Sequence, residues 1–403
     1  MINKIKALND EIFEEVVRLR RAIHRNPELA FEEHETARLV QETLAPLDLD
    51  VRTGVAQTGI VATLQGGQPG PTLMLRADMD ALPIQEANDF DFASQNPGTM
   101  HACGHDAHTS SLLGTAMILH RLRDHLHGAV RFVFQPSEER LPGGARAMIE
   151  EGALAPDAAG PAPEAAFGQH VMPTLPAGAI GVRSGMHMAS ADEIYITING
   201  EGGHAAEPHK LRTDAVVVAA HVVVALQSVI SRHCPPDVPS VLSIGRLIAD
   251  GATNIIPETA RLEGTFRAMD EAWRFEAHAL IQRVAEHTAR AHGAEAEVEV
   301  RVGYPALYNH PEAAALTREA ACEYVGEANT VDLDLWFASE DFAYYLREVP
   351  GAFYLLGVGN EAKGITHYLH TPRFTIDEEA LRTAPGFMAY LAWKYGVLAE
   401  RGA

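Results

Sequence analysis

Cysteine is scarce in this chain. There are three in 403 residues, Cys103, Cys234 and Cys322, far apart and odd in number. That excludes a disulfide framework and fits a reducing compartment. Basic residues are also in short supply, 32 against 54 acidic ones, for a net charge of −22. Such a balance argues against nucleic-acid or anionic-membrane partners, although a local site can oppose the global field. The sequence has no internal repeat and no low-complexity tract, and no apolar run of about 18 residues is expected. Met1 to Ala7 leads straight into a charged amphipathic pattern rather than a signal peptide, so a cytoplasmic location is expected. The remainder is 47% hydrophobic and 21% charged, an ordinary globular composition. The chain is too long for one core, and two domains are expected.

Against these absences stands one dense stretch, Met100-His-Ala-Cys-Gly-His-Asp-Ala-His108. Three imidazoles, a thiol and a carboxylate fall within nine residues. Cys103 and His105 are two apart, so in an extended or turn segment both can face one point. Thiolate and neutral imidazole are preferred ligands of zinc and its first-row neighbours. A solvated His-rich loop is the plain alternative for any one of these residues.

Further acids and histidines recur at comparable places. Apolar positions at helical spacing from Ile5 to Ile23 predict a helix over 4–25 that stops at Asn26-Pro27. A second helix is expected over 32–44. Strands over 59–64 and 72–77 follow, and the second runs into Asp78-Met-Asp80. In open α/β sheets, ligands bind just past the carboxyl ends of strands. The strand over 128–134 ends in Gln135-Pro-Ser-Glu138-Glu139. One of these carboxylates can ligate a metal while its neighbour acts as a base. A strand over 165–171 delivers His170, and one over 351–358 precedes His367 and His370. Singly, these read as an Asp turn, a solvated Glu pair and hydrogen-bonded core histidines. Their recurrence past several strands points to a metal site.

The middle of the chain has another rhythm: strand 192–199, apolar helix 213–230, strands 240–248 and 259–269, helix 271–291, and a last strand from Glu295. This order resembles a split βαβ sandwich. The expected organisation is an α/β domain made of residues 1–185 and 297–403, with a smaller α+β domain, 186–296, inserted between its parts. Within the insert, His204 lies in a glycine-rich turn, and Asn254 and Arg267 lie near strand ends. Ordinary turn or strand-surface chemistry competes with a functional role for each.

Taken together, Leu75-Arg-Ala-Asp-Met-Asp-Ala-Leu-Pro83, Met100 to His108, Gln135-Pro-Ser-Glu-Glu139, Gly203-His-Ala-Ala-Glu-Pro-His209, Ala338-Ser-Glu-Asp-Phe342 and Leu369-His-Thr-Pro372 resemble the aminoacylase and carboxypeptidase group of dinuclear metallohydrolases. The likeness is greater to its amidohydrolase branch, with the hippurate hydrolases and the auxin-amino-acid conjugate hydrolases. It extends from His24-Arg-Asn-Pro-Glu-Leu29 to the C-terminal region. The resemblance implies a three-layer α/β/α catalytic domain and an inserted lid that also dimerises. It implies two divalent metal ions per subunit, held by Cys103, His105, Glu139, His170 and His370, with Cys103 bridging. Glu138 would be the general base. Asp80 would stand where other branches support a ligand histidine, whose place Asp78 takes here. His204 would reach the substrate carbonyl, in this group often from the partner subunit, and Asn254 and Arg267 would lie near the substrate. Zinc is the first expectation; manganese, cobalt and nickel fit the donors as well.

The implied reaction is cleavage of N-acyl-L-amino acids, with N-acetyl or hippurate-like substrates, by a hydroxide generated between the metals. A dipeptidase or carboxypeptidase using the same centre is the nearest competing reading. A metal-binding dimer without catalysis is a third, against which Glu138 beside the full ligand set argues.

Overall fold

The computed structural model describes residues 1–402, and side chains up to Leu398 and Ala399. The chain separates into two compact units, Met1–Gly185 with Tyr308–Asp334 and Asp341–Ala403, and Met186–Leu307 with Leu335–Glu340.

The larger unit is built on an eight-stranded mixed sheet. Its order is Asp50–Val55, Gly59–Gln65, His127–Gln135, Gln68–Asp78, Ala165–Pro176, Gly351–Gly359, Ile180–Val182 and Thr330–Asp332. The four central strands run parallel to one another. Such strands are covered on both faces and read as continuous apolar runs. Thr72 to Asp78 and Ala165 to Pro173 are buried throughout. Parallel pairing also brings carboxyl ends together: Asp78 stands opposite Gln135, and His170 opposite Leu355.

Helices complete the unit. Ile2–Arg25 buries Ile5, Ile12, Val16, Leu19 and Ile23 on one stripe and stops where Asn26-Pro27 removes the next amide donor. It packs on His105–Arg121, which in turn packs on Ala384–Gly402. His105–Arg121 is buried almost all round, which explains its weak amphipathic pattern in the sequence. The helix expected over 32–44 begins at His34, since the backbone of Glu33, at φ −76° and ψ 48°, is not helical.

The smaller unit is a four-stranded antiparallel sheet, in the order Ser240–Ile248, Thr259–Ala268, Asp192–Asn199, Glu295–Val302. Helices Ala215–Ser228 and Glu271–Ala291 pack together and on this sheet. Ile194, Ile196 and Ile198 alternate into one core with Val218, Val222, Leu226, Trp273 and Ile281. Asp214 and Asp270 cap the two helices, accepting from Val216 N–H and Trp273 N–H; such caps stabilise a helix by about 1 kcal/mol. The expected boundary at 296 falls inside the last strand, whose pairing with Asp192–Asn199 carries this unit on to Leu307. The segment Ala215–His233 is a 19-residue helical run with mean hydropathy 1.8, long and apolar enough to cross a membrane by composition. Val218, Val222 and Leu226 face the core of the unit, whereas Val224 is 71% exposed.

Candidate metal centre

The larger unit gathers its acids and histidines at the carboxyl ends of the central strands. Leu82 and Met100 exchange backbone hydrogen bonds, which lays the Asp78 to Asp80 segment beside the start of the histidine-rich stretch. Gly104 then turns the chain at φ +83°, in the left-handed region. A Cβ there would also collide with the side chain of Val171. Both constraints demand glycine, and its turn puts Cys103 outside the helix and His105 on its first residue.

Of the donor groups that result, two include Cys103. In one, Cys103, His105 and His170 offer ligand atoms within 4.8 Å of one another; in the other, Cys103, Glu139 and His370 do so. Cys103 Sγ is 3.3 Å from Nε2 of His170 and 3.3 Å from Nε2 of His370. His370 Nε2 is 3.3 Å from Glu139 Oε1. The five residues named from the sequence as ligands thus share one place. Glu138 belongs to it too, with a carboxylate oxygen within 4.8 Å of ligand atoms of His105 and Glu139.

The surrounding hydrogen bonds orient the donors. His105 Nδ1 lies 3.2 Å from Asp80 Oδ1, and the other Asp80 oxygen accepts from Glu139 N–H at 2.9 Å. His170 Nδ1 is 2.7 Å from the carbonyl of Val171, which directs Nε2 to Cys103. Partners of this kind fix the tautomer of a ligating imidazole. His370 is held at φ +59° with its N–H donated to Ala102 O. Buried His105 Nε2 finds no hydrogen-bond partner, and buried Glu139 Oε1 has nothing nearer than His370 Nε2 at 3.3 Å; unpaired buried polar atoms are costly. A cation coordinated by these donors satisfies both.

The electrostatics agree. Burial opposes charge on His105, yet Asp78, Asp80 and Glu139 outweigh it and push its pKa up to about 10. Burial, reinforced by Glu139 and Glu138, drives the Cys103 thiol well above its usual range. Burial also works against ionised Asp78, but His105, Arg76 and His108 hold it well below the ordinary carboxylate value. These opposed shifts are what crowding several acids, imidazoles and a thiol into one buried place produces, and such perturbed groups cluster at functional sites.

Asp78 and Asp80 have different placements. Asp78 pairs with Arg76 at 2.7 Å and with His108 Nδ1 at 2.6 Å, and His108 Nε2 accepts from Val171 N–H. Arg76 also holds Asp341 at 2.7 Å. Arg76, Asp341 and the neutral His108 received no individual role from the sequence. The available signal was an arginine inside an apolar strand, since a buried charge requires a partner.

The other predicted residues lie in the smaller unit. His204 is exposed and pairs with Ile255 on a short ribbon, whose Asn254 carbonyl accepts from Ala205 N–H. His204 and Asn254 are therefore neighbours. Arg267 is on the four-stranded sheet; its Nη1 is buried and has no hydrogen-bond partner, and burial lowers its pKa.

A sequence model of the family described as Peptidase family M20/M25/M40 matches residues 74–394. The chain belongs to that family. An N-acyl-L-amino acid amidohydrolase of Geobacillus stearothermophilus is 42% identical over 309 residues, covering 77% of this chain and 82% of that protein. Thermostable carboxypeptidase 2 of Saccharolobus solfataricus is 36% identical over 398 residues, covering 98% and 99%. The crystal structure of the YXEP protein of Bacillus subtilis, described as a dinuclear metal-binding peptidase from the M20 family, superposes with a TM-score of 0.82 at 36% identity, over 97% of this chain and 99% of that one. The α/β architecture is that of the M20 family. This M20 protein is a metal-dependent hydrolase of amide bonds, and its clustered donors suit divalent ions.

Proposed function

We propose that the protein hydrolyses N-acyl-L-amino acids at a centre of two divalent ions, with Glu138 as general base. The observation that carries this reading is that Cys103 is common to two donor sets, with Glu138 beside His105 and Glu139. Cys103, His105 and His170 would hold one ion, and Cys103, Glu139 and His370 the other. A thiolate from Cys103, shared by the two sets, would offset the repulsion between two cations, and this mixture of sulfur, nitrogen and oxygen would favour zinc, with manganese, cobalt or nickel also suited. When bound, the ions acidify water and polarise the amide carbonyl.

The protein's own groups do the rest. Glu138 takes the proton from the attacking water and passes it to the departing amine. Asp80 holds His105 and the Glu139 backbone in place. His204 would donate to the oxyanion, a contribution worth about 2.7–4 kcal/mol in comparable sites. Arg267, with an uncommitted guanidinium nitrogen, and Asn254 would anchor the substrate carboxylate. The smaller unit would act as lid and as the surface of a homodimer; its half-exposed Val217 and exposed Val224 favour the second role. The three cysteines are free, in keeping with a cytoplasmic enzyme. The experiment is Glu138→Ala, assayed for turnover and for metal content. Loss of turnover with full metal content is expected; substantial remaining activity would remove Glu138 as base. Rates on N-acetyl, N-benzoyl and dipeptide substrates separate this reading from a carboxypeptidase or dipeptidase, which the likeness to the Saccharolobus enzyme keeps in view.

A further inference from the structure

Outside the donor set lies a wholly buried carboxylate, Glu33. Its Oε1 accepts from Phe31 N–H and from Ser137 N–H, each at 2.9 Å, and its Oε2 accepts from the Thr58 hydroxyl at 2.5 Å. Each of these contacts secures a segment with unusual backbone. Phe31 has φ +64° and Ser137 φ +52°, while Ala56 and Gln57, just before Thr58, have φ +52° and +75°. None is glycine, so each is a left-handed conformation that the surroundings must hold. One carboxylate ties three such segments together.

Ser137 immediately precedes Glu138 and Glu139. Its N–H is fixed by Glu33, and the N–H of Glu139 is fixed by Asp80. Glu138 therefore stands between two amides, each pinned to a buried carboxylate from elsewhere in the chain. If the first pin is lost, Ser137 is free to relax to negative φ, and the peptide leading into Glu138 turns with it.

We propose that Glu33 is a positioning residue for amide hydrolysis, holding Ser137 in its left-handed turn so that Glu138 and Glu139 are aimed into the centre. This rests on the roles proposed above for those two glutamates. Glu33 itself touches neither substrate nor metal. Burial raises its pKa to about 7, against the pull of Thr58 and of the amides. A neutral acceptor is thus tolerable there, and Glu33→Gln, which keeps Oε1, should serve. Aspartate, one methylene shorter, cannot reach all three donors.

The test uses the full-length protein with E33D, E33A, E33Q and, in parallel, E138A. Three quantities are read: kcat and KM on an N-acetyl amino acid, the absorption spectrum of the cobalt-loaded protein, and hydrogen exchange of the Ser137 amide in the metal-stripped protein. E33D and E33A should lower kcat by about 10- to 100-fold, the range for misplaced catalytic groups, with KM little changed. The Ser137 amide should exchange faster and the cobalt bands should shift. E33Q should restore most of kcat. Should E33A fail to fold, E33D and E33Q carry the comparison. Wild-type kcat with unchanged Ser137 protection in E33D overturns the proposal, as does an E33Q variant no better than E33A. An active E138A would instead refute the base assignment, whereas a dead E138A beside a fully active E33D removes only the positioning role.

Discussion

Asp80 makes the sharpest test of how the centre is held. It reaches two donor residues at once, His105 through Oδ1 at 3.2 Å and the Glu139 amide through Oδ2 at 2.9 Å. It is 1% exposed, so water cannot replace what is removed. Loss of a partner that orients a metal ligand typically costs about 10- to 100-fold in metal affinity, or about 1.4 to 2.7 kcal/mol at roughly 1.36 kcal/mol per decade. Asp80→Ala removes both contacts and belongs at the upper end. Asp80→Asn keeps one carbonyl oxygen and turns the other position into a donor, so it retains one contact and belongs near the lower end. The assay is competition for zinc against a chelator of known affinity, with elemental analysis to count ions per chain. The ordering wild type, Asn, Ala is the essential outcome. An alanine variant that binds metal as tightly as wild type would show that His105 and Glu139 orient themselves, and the reasoning would fail.

Other consequences are as direct. Cys103→Ala removes the one donor common to both sets, so metal content should fall for both ions; unchanged stoichiometry by elemental analysis would contradict ligation. Arg76→Met leaves Asp78 and Asp341 buried without their cation and should destabilise the protein by about 3–5 kcal/mol, read as a lowered midpoint of urea unfolding. His24 is buried between Asp106 at 2.8 Å and Glu86 at 3.0 Å. Burial disfavours its charge, but Asp106 and the two hydrogen bonds prevail and raise its pKa. A raised folded-state value means that this stabilisation is complete below the ordinary histidine pKa of about 6.5 and fades as pH rises through the folded value. The stability gap between wild type and His24→Gln should therefore narrow as pH is raised, measured by unfolding midpoints across that range. A gap that widened would show that His24 is buried neutral.

Much of this protein was legible in its residues. Periodicity marked the helix that buries Ile5 to Ile23, and continuous apolar runs marked the central strands. The short βαβ rhythm of the insert marked its sheet. Strand ends followed by Asp, Glu or His located the centre, because parallel pairing must bring those ends together. Elsewhere local pattern said less. The apolar helix expected over 213–230 continues through a further turn to His233, with Gln227 and Arg232 exposed while Val222 and Leu226 are buried.

Residue type and position along each strand were thus settled by the chain itself, since a thiol, five imidazoles or carboxylates and a sheet edge can be read without coordinates. Which buried group serves which neighbour was decided only by folding. His108 could have been a ligand, but its two nitrogens are taken by Asp78 and the Val171 amide. Glu33 and Ser137 lie 104 residues apart, and nothing near either one announces the other. Hydrogen bonds formed across such separations depend on where two strands and a turn meet in space, and no periodicity in a linear sequence carries that information.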